Sequence, residues 1–403
     1  MSCDTGTLPS VDEARRQLLE HLSVRAAREQ VPLLEAYGHI LANTACATVD
    51  VPPADNSAMD GYAIRHADLG NNATLSVAQR IPAGTQPGTL APRTAARIFT
   101  GAELPSGADC VVMQENVQRH ADTITLTQPA QPGDNIRRRG QDMRRGQDIV
   151  AQGTRLDAIA LGALAAAGVS EVTIYKPLRV AVFSSGDELR QPEQPLAPGQ
   201  IHDANRFLLH GLVTSLGMDV IDLGIIPDQP KLLSSALQQA QQTADVIITS
   251  AGVSVGEEDH LRALIESLGT LTFWRVNLKP GKPFAAGTIG DTPIFALPGN
   301  PGSALVTFAL LARPCLQALQ GARVEQPQSF HLPAGFAQTR RQSREEYLRV
   351  TRDDNDCLQR LPQQSSGTLF PLLQADGFAR IPANTCIGIG DPLEFLPLRG
   401  WLT

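Results

Sequence analysis

The stretch "LRVAVFSSGDEL", residues 178–189, decides how the chain is read. Leu178, Val180, Ala181, Val182 and Phe183 form an almost unbroken apolar run, the mark of a strand buried on both faces. The run stops at Ser184, Ser185 and Gly186, and two carboxylates follow at once, Asp187 and Glu188. The same rhythm returns downstream. "MDVIDLGII" (218–226), "ADVIITSAG" (244–252) and "PIFALPG" (293–299) read as strands. "ANRFLLHGLVTSLG" (204–217), "PKLLSSALQQAQQT" (230–243), "DHLRALIESLG" (259–269) and "PGSALVTFALLA" (301–312) read as the helices between them. Strands alternating with helices predict a mostly parallel sheet covered on both sides, with functional loops beyond the C-terminal strand ends.

The pattern differs on either side. Residues 10–29 read as a helix, with Ser10 as cap, Glu13 three residues on, and Leu18, Leu19, Leu22 and Val24 as its apolar side. Residues 39–51 read as strand. From 73 to about 150, short apolar runs alternate with Gly, Pro and Asp turns, which predicts an all-β region. Within it "RRGQDMRRGQDI" (138–149) writes one six-residue unit almost twice, too few copies for a solenoid. "RLDAIALGALAAAG" (155–168) predicts a helix ending at Gly168. Beyond 325 the helical pattern gives way to short strands such as "SFHLPAGFAQ", "EYLRVTR" and "CIGIGDPLEFLPL", which predict a small β domain.

Bulk properties narrow the classes. A chain of 403 residues holds about two to four domains. With 42% hydrophobic and 19% charged residues it can bury sizeable cores. The net charge is −7, and the densest basic run, "RRRGQDMRR" (137–145), is too narrow for a nucleic-acid footprint. An anion would need a local basic pocket or a helix N-terminus. The six cysteines, Cys3, Cys46, Cys110, Cys315, Cys357 and Cys386, contain no C-x-x-C pair, so zinc and redox motifs fail on spacing. The N-terminus has no apolar signal core, and the longest apolar run, "ALVTFALLA" (304–312), is too short to span a bilayer. A cytoplasmic, soluble, reduced protein without membrane partners is expected.

Loops at or near the strand ends carry the candidate chemistry. "SSGDEL" (184–189) offers carboxylates suited to Mg²⁺, which takes one or two of them plus phosphate oxygens; a polar turn is the plain alternative. In "GQIHDANRFLL" (199–209), Asp203 or Asn205 can cap the next helix. Asp228 follows Pro227 in what is otherwise an ordinary turn. "TSAGVSVGEEDH" (249–260) places small residues, among them Gly252 and Ser254, before Glu257, Glu258 and Asp259; the acids equally suit a helix dipole. It is no Walker loop, because no Gly-Lys-Ser/Thr follows. In "NLKPGKPFAAG" (277–287), Lys279 and Lys282 flank a stiff Pro-Gly turn, with Arg275 two residues before Asn277 on one face of the alternation. Finally "ALPGNPGSALVTF" (296–308) starts a helix at Asn300 and Pro301 and offers amides of Gly299, Gly302 and Ser303 as a nest for an anion. Each loop has a bland reading. Together they ask for a phosphate-bearing ligand, a divalent metal and an extra basic pocket. No nucleophilic triad emerges, and the eight histidines lack metal-ligand spacing.

Taken in order, "DNSAMDGYA", "FTGAELPSGADCVVMQE", "SSGDEL", "TSAGVSVGEEDH", "KPGKPF" and "ALPGNPGSA" resemble the MoeA family of molybdopterin molybdenumtransferases, which includes the E domain of gephyrin. The resemblance spans nearly the whole chain. It implies insertion of molybdenum from molybdate into adenylylated molybdopterin, with Mg²⁺ and release of AMP. It implies four domains: an elongated dimerisation domain from 1–49 and 141–177, an inserted β domain at 50–140, a molybdopterin adenylyltransferase-like α/β domain at 178–325 and a C-terminal β barrel at 326–403. It implies a homodimer in which Asp60, Thr100 and Asp142 face the partner's α/β cleft. Asp187, Glu188, Asp228 and Asp259 would gather around metal and pterin phosphate. Arg275, Lys279 and Lys282 would hold anionic oxygens, and Pro298, Pro301 and Ser303 would shape the nest, beside Gly252 and Ser254. Many family members carry Lys where Arg275 stands, so a planar fork replaces a point charge there. Protein partners implied are the molybdopterin adenylyltransferase and apo-molybdoenzymes. Rival readings are the adenylylation step itself, which leaves most of the chain unexplained, and a gephyrin-like scaffold.

Overall fold

The computed structural model describes residues 8–70, 74–250, 260–326 and 328–399. Its central sheet has the strand order Asp219–Ile226, Arg179–Ser185, Val246–Ser250, Thr292–Leu297, Ala285–Ile289, Gly269–Trp274. The first four strands are parallel, as the apolar runs predict. The last two are antiparallel additions at one edge, which the sequence reading did not separate out. Alternation along Arg179–Ser185 feeds two cores. Val180 and Val182 enter one with the helices Asn205–Ser215 and Pro301–Thr307, while Ala181 and Phe183 enter the other with Pro230–Thr243 and His260–Leu268. A strand that faces a helix on each side has no polar face, and its sequence shows none.

The last helix runs further than the expected 301–312. It continues through a π turn, Phe308–Ala312, to Gln320. Pro314 has no N–H to give the preceding turn, and the helix passes it by changing register. This helix is long and apolar enough to cross a membrane by length and composition, yet 83% of its apolar window is buried inside the molecule, as a core helix is.

The N-terminal helix is shorter than 10–29. It spans Val11–Glu20, with Ser10 Oγ accepting the Glu13 N–H at 3.2 Å. Beyond it the chain runs extended, tied by the Arg25 N–H to the Leu319 carbonyl, and enters the strand Arg28–Pro32. Val11, Ala14 and Leu18 join the core of the α/β sheet, so this helix packs with that sheet instead of with the elongated region. Strand Glu171–Tyr175 lies between Arg28–Pro32 and Ile40–Leu41, both antiparallel to it. Only Ile40–Leu41 and Ala45–Cys46 of the expected 39–51 are strand. A short ladder joins Ala45–Cys46 to Asp148–Val150. The chain before residue 50 and the chain after 141 are thereby stitched together, with a six-stranded sheet between them in sequence: Cys110–Met113, Gly61–Ile64, Thr94–Ile98, Thr74–Ile81, Thr123–Leu126, Val117–His120. The helix Ala158–Ala166 starts at Asp157, whose Oδ1 accepts the Ala160 N–H, and Gly168 follows at φ +79°.

The C-terminal sheet runs Leu278–Lys279, Glu345–Arg352, Gly377–Ile381, Pro392–Pro397, Phe330–Pro333, with Leu358–Arg360 paired to Glu345–Arg352. One bridge, Ala334 to Leu358, links its flanks. A short helix, Phe370–Gln374, interrupts the expected β pattern. The edge strand Leu278–Lys279 comes from the α/β region, so the two regions share a sheet.

Candidate functional site

That shared edge strand builds a strongly charged hollow. The chain turns at Pro280 and Gly281, where φ is +118° and an added Cβ would lie 2.6 Å from Thr307 Cγ2. Only glycine tolerates both demands. The turn aims Lys279 and Lys282 into a hollow of about 460 Å³. The C-terminal sheet contributes Arg344 and Arg360 from the other side, and Ser365 and Ser366 close it. Lys279 Nζ pairs with Glu346 Oε1 at 2.8 Å, and the buried Glu346 also accepts from Gln338 Nε2 at 2.7 Å. Four cations against one carboxylate make a pocket for an oxyanion. Arg344 and Arg360 were missed by sequence reasoning. For Arg344 the only signal was the basic run "RRQSREEYLR" at 340–349; Arg360 lies outside it.

The expected alternation holds around it: Val276 and Leu278 are fully buried, and Arg275, Asn277 and Lys279 are half-exposed. Arg275 itself does not line the hollow. Its backbone sits at φ +116°, a region that disfavours side chains, held by a hydrogen bond from its N–H to the Phe284 carbonyl at 3.0 Å.

The helix start at Pro301 differs from expectation in two ways. Asn300 makes no side-chain capping bond. The nest is also not open: the Gly302 N–H donates to the Ser366 carbonyl at 2.7 Å, and the Ser303 N–H to the Asn300 carbonyl at 2.9 Å. The C-terminal domain's own backbone occupies the amide that an anion would take. Ser303, largely buried, still lines the hollow; Pro298 and Pro301 do not line it.

At the neighbouring strand ends, the Asp228 N–H donates to Asp187 Oδ1 at 3.0 Å, so these two loops touch. Glu188 folds back over Gly186, whose Cβ position lies 2.6 Å from Glu188 Oε2. Asp203 Oδ1 accepts from Ser184 Oγ at 3.0 Å and from the Arg206 N–H at 3.2 Å. Asn205 instead sends Nδ2 to the Gly299 carbonyl at 2.7 Å. Of the two expected caps, Asp203 caps and Asn205 ties two strand-end loops together. Ser185 Oγ, Thr249 Oγ1 and Asn205 Oδ1 are buried with no hydrogen-bond partner among the described residues, leaving hydrogen-bonding capacity beside these strand ends. Among the described residues no three His, Cys, Asp or Glu side chains converge as a metal cage. Gly252, Ser254, Glu257, Glu258 and Asp259 lie outside the described residues.

Asp60, Thr100 and Asp142 sit in the N-terminal half. Asp60 Oδ1 accepts from both the N–H and the hydroxyl of Thr100, at 2.7 and 2.8 Å. These two donors hold the Asp60 carboxyl below its usual range. Asp142 lines a hollow with Asn56, Arg137 and Gln141. That hollow shares no residue with the basic one.

Three family models cover most of the chain: the MoeA N-terminal region (domain I and II) at 9–168, a probable molybdopterin binding domain at 181–318, and the MoeA C-terminal region (domain IV) at 331–398. A curated molybdopterin molybdenumtransferase of Haemophilus influenzae is 44% identical over 316 residues, 78% of each chain. This chain belongs to the MoeA family. By that membership it is a transferase. The molybdopterin molybdenumtransferase of Synechococcus elongatus is 34% identical across 94% of this chain and 96% of its own. A molybdopterin biosynthesis MoeA protein of Pyrococcus horikoshii superposes with a TM-score of 0.84 at 27% identity, covering 97% of this chain and all of that one.

Proposed function

We propose that this MoeA-family chain inserts molybdenum from molybdate into adenylylated molybdopterin and releases AMP. The observation that carries the reading is the hollow of Lys279, Lys282, Arg344 and Arg360 beside the strand ends. Molybdate is a dianion, and four cationic side chains offset its desolvation. The strand-end loops hold the pterin. Ser185, Thr249 and Asn205 offer it unspent hydrogen bonds, and Asn205 locks Gly299 in place.

Mg²⁺ fits the carboxylates of Asp187 and Glu188, because it takes one or two protein carboxylates and completes its shell with substrate phosphate oxygens and water. Asp228 and Asp259 belong to the same proposed set. Bound there, Mg²⁺ supplies Lewis-acid polarisation of the adenylyl phosphate. The side chains bring oxyanion and dithiolene together; none acts as a covalent nucleophile. Arg275 adds charge from the residue that follows the strand Gly269–Trp274. Asp60, Thr100 and Asp142 act on the site of a second copy, since their partners in this chain lie in the N-terminal half. We place the domain boundaries at 1–49 with 141–177, 50–140, 178–325 and 326–403, save that helix Val11–Glu20 packs on the α/β sheet.

The test is product analysis with adenylylated molybdopterin, Mg²⁺ and molybdate. AMP and the molybdenum-bearing pterin should appear together, and Lys282→Ala should suppress both. Formation of adenylylated pterin from ATP and molybdopterin, with no AMP released on adding molybdate, would overturn the reading in favour of the preceding step.

A further inference from the structure

A second cavity lies at the opposite end of the α/β sheet. Leu216 and Met218, which precede the strand Asp219–Ile226, line it. So does Gln320, whose Oε1 accepts the Leu178 N–H just ahead of Arg179–Ser185. The cavity measures about 520 Å³, larger than the basic hollow. The helix from Pro301 to Gln320 runs from one to the other, with Ser303 at the hollow and Arg313 and Gln317 at the cavity. Roughly 15 Å of helix rise separates Ser303 from Arg313.

Its charge is unbalanced. Arg155, Arg313 and Arg323 line it against one carboxylate, Glu325. Arg155 donates to the carbonyls of Gly38 and Ser215, and Arg323 to that of Gln152. Among the described residues none of the three makes an ion pair, not even with Glu325, which lines the same cavity. Among the described residues Arg313 Nε is buried with no partner, and so is Gln317 Oε1. The two residues are one helical turn apart on one face, a donor and an acceptor both left open. The carbonyls of Gly38 and Ser215 account for Arg155; among the described residues no such acceptor meets Arg313 Nε. Ile40, Leu216 and Met218 give the cavity an apolar wall.

We propose that this cavity binds a phosphate monoester of a hydroxylated small molecule, the sugar-phosphate class. The phosphate meets the three guanidiniums, and a hydroxyl donates to Gln317 Oε1. The volume leaves room for a sugar beside the phosphate, and the apolar wall receives its carbon face.

Titration calorimetry on the full chain, with ribose 5-phosphate as probe, tests this. Saturable binding is expected, weakened at least about tenfold by Arg313→Met and less by Arg313→Lys, and unchanged by Lys282→Ala in the other hollow. Gln317→Leu should weaken ribose 5-phosphate but not inorganic phosphate. No saturable binding to the wild type, equal affinity in Arg313→Met, or a loss that follows Lys282→Ala would each overturn the proposal. If Arg313→Met fails to fold by circular dichroism, Arg323→Gln and Gln317→Leu decide: unaltered affinity in both overturns it.

Discussion

Lys279 has two roles in the structure, and a double substitution separates them. Its ammonium pairs with Glu346 at 2.8 Å, and the Glu346 side chain is only 4% exposed while that of Lys279 is 41% exposed. Lys279→Met leaves a buried carboxylate with Gln338 as its remaining hydrogen-bond donor. Stranding a fully buried charge costs about 3–5 kcal/mol. Water reaches the lysine end of this pair, so the expected loss is smaller, about 1–3 kcal/mol. Adding Glu346→Gln removes the stranded charge, and the double variant should recover to within about 1 kcal/mol of wild type. Molybdate affinity should behave differently. It should fall at least about tenfold in Lys279→Met and stay low in the double variant, because the pocket still lacks a cation. Urea unfolding measures the first quantity and calorimetric titration with molybdate the second. A double variant as unstable as the single, or a Lys279→Met protein that binds molybdate like wild type, would refute the reasoning.

Thr100→Val removes the hydroxyl donor from Asp60, so the Asp60 carboxyl should titrate closer to its ordinary value in a carbon-detected NMR titration. Because the folded value is depressed, this hydrogen bond stabilises the protein above the unfolded carboxyl's pKa, and its contribution fades as pH falls through the folded one. The stability gap between variant and wild type should therefore shrink in acid. Gly281→Ala should cost about 1–3 kcal/mol, from its positive φ and the contact with Thr307, and should weaken molybdate binding by displacing both lysines; chemical denaturation and titration check it. Burial pushes the thiols of Cys110 and Cys315 up to about 12, so among the described cysteines a thiol reagent should modify exposed Cys46 and Cys386 under native conditions and reach Cys110 and Cys315 only on unfolding.

The four parallel strands were legible because each carries a local signature. Val180 and Val182 interleave with Ala181 and Phe183, and no polar face is left. The antiparallel edge, Gly269–Trp274 and Ala285–Ile289, was not: it is made of short runs broken by Gly287, whose Cβ position lies 2.1 Å from the Thr270 carbonyl. The lysine turn was readable from Pro280 and Gly281. Its arginine partners were not, because Arg344 and Arg360 meet it only through a pairing between residues 278–279 and 345–346, and so distant a pairing leaves no local trace. Asn300 and Pro301 announced the helix start correctly. What they could not announce was the Ser366 carbonyl that takes the Gly302 amide. Asp60 and Thr100 were linked only by resemblance; the hydrogen bonds between them across 40 residues supply the physical reason.

The loan of Leu278–Lys279 to the C-terminal sheet has a consequence for dissection of the molecule. A fragment cut near residue 326 would lose its edge strand and expose the main-chain groups of Glu345 and Glu346 to solvent or to other chains. The remaining piece would keep the Lys-Pro-Gly-Lys turn but lose the scaffold that pins it. Neither half should therefore reproduce the anion affinity of the whole, and mixing the separated halves should restore it only insofar as that two-residue seam re-forms.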